Sequence, residues 1–600
     1  MTRRATFDPI TLEVLWSRLI AIVEEAEATL VRTSYSTTVG EADDHAAAIL
    51  DRRGRIIAQS PKGMPGFIAI LGRTTRAVLE QIPAETLKPG DVLVTNDPWI
   101  CAGHLHDFNL LQPIFFKRRL VAFAANTAHL SDIGGRVSAE AEDLFEEGLQ
   151  LPVLKLLERG KPNELAMKFI RLNSRTPKQI LGDLNAQMSA NLTAERRIVE
   201  MLEDTGLRSL DDLSDAIQAR TEAAMRAAIE RLPDGVYTGQ VFSDGYDETL
   251  TIKAKVTIAK SDISIDYTGT SPQIRRAINC PFNLTYAESV FPIRAALTPN
   301  IPMTDGALRP IAVYAPEGTI LNPRRPAAVF TRTVVVHNTH AAIFQALSAL
   351  VPDHIPANRV HAHSGCIWAF RFKGQWHADD KRPQFAVDDY FMQAYISNGG
   401  QGAAAGYDGR SALSMPDNCA NVPIEVYEHK LPVMFARKEL RTDSGGPGAA
   451  RGGLGQTMEL RVLGRGAISF AAASADKIRN PAPGINEGRP GQTALTAVNG
   501  VPTFARQWVP LQTGDVVTCR NPGGGGAGDP LTRDPALVEN DVRLGYVSIE
   551  GARRDYGVVL RSDLAVDADA TRAGRAARLL PADKTPAPTG SGAQDRGGYD

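Results

Sequence analysis

Residues 101–135, CAGHLHDFNLLQPIFFKRRLVAFAANTAHLSDIGG, set imidazoles and carboxylates at the outer ends of two apolar runs. The groups able to do chemistry are His104, His106, Asp107, His129 and Asp132. Residues 109–116 and 120–127 flank a basic tip, Lys117-Arg118-Arg119, which is the pattern of a β-hairpin. Centred on Arg118, that hairpin sets Asp107 opposite His129. Facing residues have Cβ atoms roughly 4.5–5.5 Å apart, so a carboxylate and an imidazole there can converge on one ion. His104, three residues before Asp107, has the wrong parity for the same strand face, and the turn signal Ala102-Gly103 is what would bring it in. Two imidazoles with carboxylates suit Zn²⁺, Mn²⁺ or Fe²⁺ better than Ca²⁺ or Mg²⁺, which prefer oxygen-only shells. The plainer alternative is an Asp107–His129 ion pair at a sheet edge, with His104 and His106 as solvated loop residues.

The elements that must position these groups can be read from periodicity. Asp8-Pro9 starts a long helix whose Leu12, Leu15, Trp16, Leu19, Val23, Ala26 and Leu30 form one apolar face. HAAAILD-RRG-RIIAQ reads as two strands around a turn, and DVLVTNDPW as a strand stopped by Asn96-Asp97-Pro98. Helical spacing dominates residues 156–232, and alternating β runs with Gly/Pro turns follow to about residue 520, interrupted by the helical HAAIFQALSAL. The expected fold class is α+β: a mixed N-terminal metal-binding lobe (1–155), a helical hairpin insertion (156–232), a large β-rich C-terminal lobe (233–560) and a disordered tail (561–600).

Composition narrows the function classes. With 66 Lys plus Arg against 68 Asp plus Glu in 600 residues, no broad basic surface exists to attract nucleic acid or anionic lipid. The N-terminus lacks the apolar core of a signal peptide, and no stretch of about 18 apolar residues suggests a membrane span. Five scattered cysteines, none in a CxxC pair, fit a reducing compartment and exclude a thiolate cage. A cytoplasmic protein with a small-molecule or protein partner is expected.

Several blocks of this chain resemble the hydantoinase B/oxoprolinase family. EADDHAAAILDRRGRIIAQ is similar to the family's acidic hairpin block, TNDPWICAGHLHD to its NDPYxGGTHLPD, and AHLSDIGG to its HHxDIGG. LNSRTPKQILGDLNAQ, AINCPFNLT, LRPIAVYAPEGTILNPRRPAAV, GGPGAARGGLG and NPGGGGAGDPLTRDP match further blocks. The resemblance implies a metal held by Asp44, His104, Asp107 and His129, with the neighbouring Asp43 an alternative for the first ligand. Asp43, His106 and Asp132 are the candidate surrounding groups: Asp132 either orients His129 or caps the Gly134-Gly135 turn. The chain departs from the family pattern at His45-Ala46-Ala47, at Cys101 and at His106. By resemblance the chain is the B-type subunit of an ATP-dependent cyclic-amide hydrolase acting on a lactam or hydantoin, in a hetero-oligomer whose A-type subunit holds ATP and Mg²⁺. A B-like subunit of an acetone- or acetophenone-type carboxylase and a non-catalytic scaffold are the alternatives.

No GxxxxGK[ST] occurs, so the glycines of GGPGAARGGLG and NPGGGGAGDP are read as tight turns between β elements, and any nucleotide site belongs to another polypeptide. His337 and His340, like His361 and His363, are read as core or interface histidines. No GxSxG elbow supports a serine hydrolase.

Overall fold

Asp8 caps the first helix, Pro9–Thr33, by accepting from the Ile10 and Thr11 amides at 3.0 Å each, with proline where an N–H would be unpaired anyway. The apolar face is buried as its spacing predicts. The computed structural model describes residues 7–351, 355, 366–376, 386–415, 417–504 and 506–579. His361 and His363 lie outside them. The chain forms two compact units, Met1–Thr532 and Arg533–Asp600.

In the first unit, strands β1 (His45–Asp51), β2 (Ile56–Gln59), β3 (Val92–Thr95), β4 (Asp107–Phe116), β5 (Arg119–His129), β6 (Leu154–Glu158) and β7 (Lys161–Pro162) make one sheet, ordered β2-β1-β5-β4-β3-β6-β7. β4 and β5 form the expected hairpin, with Asp107 facing His129. Its tip is a two-residue turn, Lys117 and Arg118 having φ of 47° and 67°, between the paired Phe116 and Arg119. A bulge between Ile114 and Phe115 shifts the register by one. Without that bulge Asp107 would face Ala128, and the His129 ring would leave for the opposite side of the sheet.

Both faces of this sheet are covered. Ala46, Ala48 and Leu50 of β1 pack with Phe67 and Ile70 of the helix Pro65–Gln81 and with Leu284 and Val290 of the helix Phe282–Leu297. Ala47 and Ile49 pack with Leu15 and Leu19 of the first helix and with Ala190 and Ala194 of the helix Pro177–Thr205. Burial on two sides explains the unbroken apolar run of β1. Pro177–Thr205, closed by Gly206 at φ 70°, and Asp211–Ile229 are the two long helices of the segment with helical spacing, and Ala186, Ile198, Leu213 and Ile217 from them share a core with the first helix.

Among the described residues three further sheets follow: a four-stranded one of Gly235–Ser243, Leu250–Ala259, Asp262–Asp266 and Ile311–Tyr314, a second four-stranded one, and a five-stranded one. The class is α+β, as expected. Among these β elements the helix Phe282–Leu297 escaped the periodicity reading because Leu284, Ala287, Val290, Phe291 and Ile293 are buried around its circumference, leaving no polar stripe.

Two expectations are corrected. The glycine runs are not turns. Gly523–Gly526 form one segment of backbone packed directly against others: a Cβ at Gly523 would stand 1.7 Å from the Ser444 carbonyl oxygen, and one at Gly524 2.1 Å from that of Gln401. The Gly524 amide donates to the Gly453 carbonyl at 3.0 Å and its carbonyl accepts from Gly446 at 2.8 Å, so these glycines allow main chains to approach and bond side by side. The tail expected from residue 561 contains instead a helix, Ala568–Leu579, rich in Ala and Arg and started by Asp567, which accepts from the Ala570 amide; residues 580–600 lie outside the described residues. The second unit also has helices Pro535–Arg543 and Ile549–Tyr556 around Val538, Val547, Ala552 and Tyr556.

Candidate metal centre

Strand order and register put three residues in a row on one sheet face. His45 pairs with Ala128 across β1 and β5, and the His129 amide donates to the Asp44 carbonyl at 3.1 Å, so Asp44, His129 and Asp107 follow one another across β1, β5 and β4. The face is the one that meets the helix Phe282–Leu297, because odd positions of β5 such as Phe123 and Ala125 belong to that core. His129 Nδ1 lies 3.0 Å from Asp107 Oδ1 and 3.7 Å from Asp44 Oδ2. The turn before β4, with Gly103 at φ 85°, swings His104 in despite its parity, placing Nε2 2.7 Å from Asp107 Oδ1. One donor atom each from His104, Asp107 and His129 lies within 4.8 Å of the other two, and all three residues are buried.

The surrounding atoms orient these rings. His106 Nδ1 is 2.8 Å from the Leu130 carbonyl, and its Nε2 has no hydrogen-bond partner among the described residues. Its ring centroid is 5.6 Å from that of His104 and 5.1 Å from that of His129, so three imidazoles share one buried space. A solvated His106 was the plainer expectation; it is 1 % exposed, because the Leu130 amide bonds the His106 carbonyl and extends the hairpin past its last strand residues.

Arg332, absent from the sequence reading, enters from beyond the sheet. Its guanidinium donates to Asp107 Oδ2 at 2.7 Å and to the Ala102 carbonyl at 2.8 Å, and lies 2.9 Å from His104 Nδ1. A lone arginine in the apolar run AAVFTRTVVV was the available signal, since a buried guanidinium calls for a carboxylate. Glu147 acts one step further out by accepting from the Val329 and Phe330 amides at 2.5 and 2.8 Å, and the Phe330 carbonyl lies 3.0 Å from His104 Nδ1. Burial pushes the Glu147 carboxyl up to about 8.

These contacts give His104 two hydrogen-bonding states. With its proton on Nε2 it accepts from Arg332 at Nδ1, and Nε2, although 2.7 Å from Asp107 Oδ1, has no aligned hydrogen-bond partner among the described residues. With the proton on Nδ1 it donates to the Phe330 carbonyl, and its Nε2 lone pair then faces a carboxylate oxygen at 2.7 Å, an arrangement that a cation between the two acceptors stabilises. Burial and the Arg332 charge push His104 down to about 3, so the ring is neutral at neutral pH, as a ligand must be. Burial opposes ionisation of Asp107, but His104 and Arg332 outweigh it and hold the carboxyl below its usual range. A neutral His104 imidazole beside an ionised carboxylate, with a second imidazole at His129, therefore fits a borderline divalent metal.

The other anticipated groups lie elsewhere. Asp43 turns away at φ 57°, its Oδ1 3.8 Å from His45 Nε2, on the side of the sheet where His45 Nδ1 lies 3.4 Å from Glu27 Oε1. Asp132 caps the turn at Gly134 and binds Arg175 through that residue's backbone N–H and guanidinium. Of its two sequence-level roles, the turn cap is the one its contacts serve.

An α+β chain with a His–carboxylate row buried inside its first sheet defines the class. The chain belongs to the hydantoinase B/oxoprolinase family, which it matches over residues 8–530. It is 31 % identical to the putative B component of a D-/L-hydantoinase of Pseudomonas sp. (strain NS671), over 94 % of this chain and 97 % of that one. It is 32 % identical to the β component of the caprolactamase of Pseudomonas jessenii, covering 95 % of this chain and all of that one. The crystal structure of the ATP-dependent caprolactamase from that organism superposes with a TM-score of 0.87, at 28 % identity over 95 % of this chain and all of the matched chain. A nucleotide-free acetone carboxylase shares the fold, with a TM-score of 0.84 at 19 % identity over 96 % of this chain and 84 % of that one. Among the described residues no helix is long and apolar enough to cross a membrane.

Proposed function

We propose that this chain is the metal-binding B-type subunit of an ATP-dependent cyclic-amide hydrolase, opening a lactam or hydantoin ring together with an A-type subunit that holds ATP and Mg²⁺. The observation that carries the reading is the row Asp44, His129, Asp107 with His104 turned in above it, buried and oriented by backbone carbonyls. The relatives support the reaction class: one belongs to a hydantoinase and another to an ATP-dependent caprolactamase. Both of those relatives are named as one component of a larger enzyme, which supports a heteromeric assembly.

In this reading Asp44, His104, Asp107 and His129 hold Zn²⁺, Mn²⁺ or Fe²⁺. When bound, such an ion supplies Lewis acidity toward a carbonyl oxygen or a water. The chain's own residues do the rest. The Phe330 carbonyl keeps the His104 proton on Nδ1, so Nε2 points inward. Arg332 holds Asp107 Oδ2, which leaves Oδ1 turned toward the two imidazoles. Burial keeps bulk water from the cluster and strengthens each of these interactions.

Reconstitution with the A-type subunit tests the proposal. Wild-type complex should open the ring only with ATP and bound metal, and His129→Ala should lose both the metal of the sheet cluster and turnover. Full activity of His129→Ala would leave a scaffold, turnover by this chain alone without ATP would leave a free-standing hydrolase, and incorporation of labelled bicarbonate would make the complex a carboxylase.

A further inference from the structure

A second set of buried imidazoles and carboxylates lies outside the row just described. His337 and His340 sit at the start of the helix Asn338–Leu347, Glu288 on the helix Phe282–Leu297, and Asp417 in the segment after residue 410. All four are at most 2 % exposed. His340 Nε2 is 2.6 Å from Glu288 Oε2, and His337 Nε2 is 3.2 Å from Asp417 Oδ1. The two rings stack with centroids 5.9 Å apart and planes 18° apart. Phe291 closes one side, edge-on to His340 at 5.6 Å.

We infer that Glu288, His337 and Asp417, with His340 beside them, form a second binding site for a divalent transition-metal ion. Two separate histidine–carboxylate pairs would need no convergence beyond each pair. Here donor atoms of Glu288, His337 and Asp417 all lie within 4.8 Å of one another, although Glu288 has its ion pair with His340. A mixed imidazole–carboxylate set is the ligand chemistry of Zn²⁺, Mn²⁺ or Fe²⁺, and burying two carboxylates together is favourable only with strong positive compensation.

An independent feature shows that room has been kept for one of these carboxylates. Gly66, in the first turn of the helix Pro65–Gln81, abuts Glu288: a Cβ there would stand 2.0 Å from Oε1 and 3.1 Å from Cδ. Any other residue at position 66 would displace the Glu288 carboxylate. The glycine is not needed for its backbone angles, since it lies inside a regular helix and is not among the positive-φ positions. What it supplies is space for the acid. The proposal does not depend on the function proposed above.

Metal stoichiometry of the full-length chain tests it. Protein stripped with a chelator is loaded with Mn²⁺ or Zn²⁺, desalted and assayed by elemental analysis, with circular dichroism to verify folding. Wild type should hold two equivalents per chain. Asp107→Ala, Glu288→Gln and Gly66→Ala should each hold one, the last while retaining every donor, and Co²⁺ loading of each should leave the absorption spectrum of a single remaining site. A single wild-type equivalent that disappears in Asp107→Ala and survives in Glu288→Gln overturns the second site alone. A single equivalent with the reverse pattern upholds it and overturns the sheet site. Two equivalents retained in folded Glu288→Gln and Gly66→Ala overturn it, and no bound metal in wild type overturns both sites. Should Glu288→Gln not fold, the wild-type count and Gly66→Ala still decide.

Discussion

The His104–Asp107–His129 cluster and the Glu288–His337–Asp417 cluster use the same ligand types and are assembled by different means. The first is laid out by a sheet: two adjoining strands and the residue leading into a third present their side chains in one row, so hairpin register sets the spacing. The second is gathered from two helices and a loop, where only tertiary packing sets it. Charge is handled differently too. A guanidinium sits inside the first cluster, whereas each carboxylate of the second faces an imidazole. An internal arginine lets the sheet cluster keep its shape before any ion arrives, at the cost of a competing partner for Asp107.

The largest effect expected from disturbing this contrast is on catalysis. Asp107→Ala removes the residue shared by both imidazoles and by Arg332, and ATP-dependent turnover of the reconstituted complex should fall by roughly a thousandfold, the scale of lost electrostatic stabilisation in an active site. A loss below tenfold in steady-state assays would make the sheet cluster structural. Arg332→Met probes the difference in compensation. Removing one partner of a buried ion pair costs about 3–5 kcal/mol, so urea unfolding in chelator should show a loss of that order. Saturating Zn²⁺ should restore part of it, since the ion takes over the charge on Asp107. An equal loss with and without Zn²⁺ would sever the arginine from the metal site.

A buried imidazole outside both clusters sharpens the comparison. Although burial opposes it, Asp43 and Glu27 raise His45 to about 9, from an ordinary value of 6.5. Because the folded-state value is the higher one, this stabilisation is complete below about pH 6.5 and lost as the pH rises through 9. A shift of that size corresponds to roughly 3 kcal/mol. Unfolding free energies measured between pH 6 and 10 should fall accordingly, and His45→Gln should flatten the curve; a flat wild-type profile would show His45 to be neutral. The smallest effect should come from His106→Phe, which keeps the packed ring and removes Nε2. Metal affinity at the sheet cluster should drop by about 10- to 100-fold, the scale for losing a polar group next to the ligands, with Glu288-dependent binding unchanged. Loss of both equivalents in a titration would mean that the two clusters are one.

Much of the sheet cluster could be read in advance because local rules sufficed. The basic tip between two apolar runs defined a hairpin, and Asp107 faces His129 as that hairpin implied, although by a two-residue turn and a bulge rather than by a loop centred on Arg118. Arg332 and Glu147 were invisible because their partners lie far away in sequence and no periodicity links them. His337 and His340 looked like ordinary core residues, since HxxH spacing carries no information about Glu288 and Asp417.

The amino-acid sequence by itself determined the α+β class, the first helix with its Asp8 cap, the long hairpin and the ligand types it carries, because each follows from periodicity, capping or turn chemistry within a short stretch of chain. Tertiary structure alone decided that His106 is buried, that Asp43 faces His45 while Asp44 lies beside His129, that Gly523–Gly526 pack as main chain against main chain, and that His337, His340 and Asp417 meet around Glu288. Those outcomes depend on which surfaces exclude water from one another, and a one-dimensional pattern specifies the faces of an element without naming what will cover them.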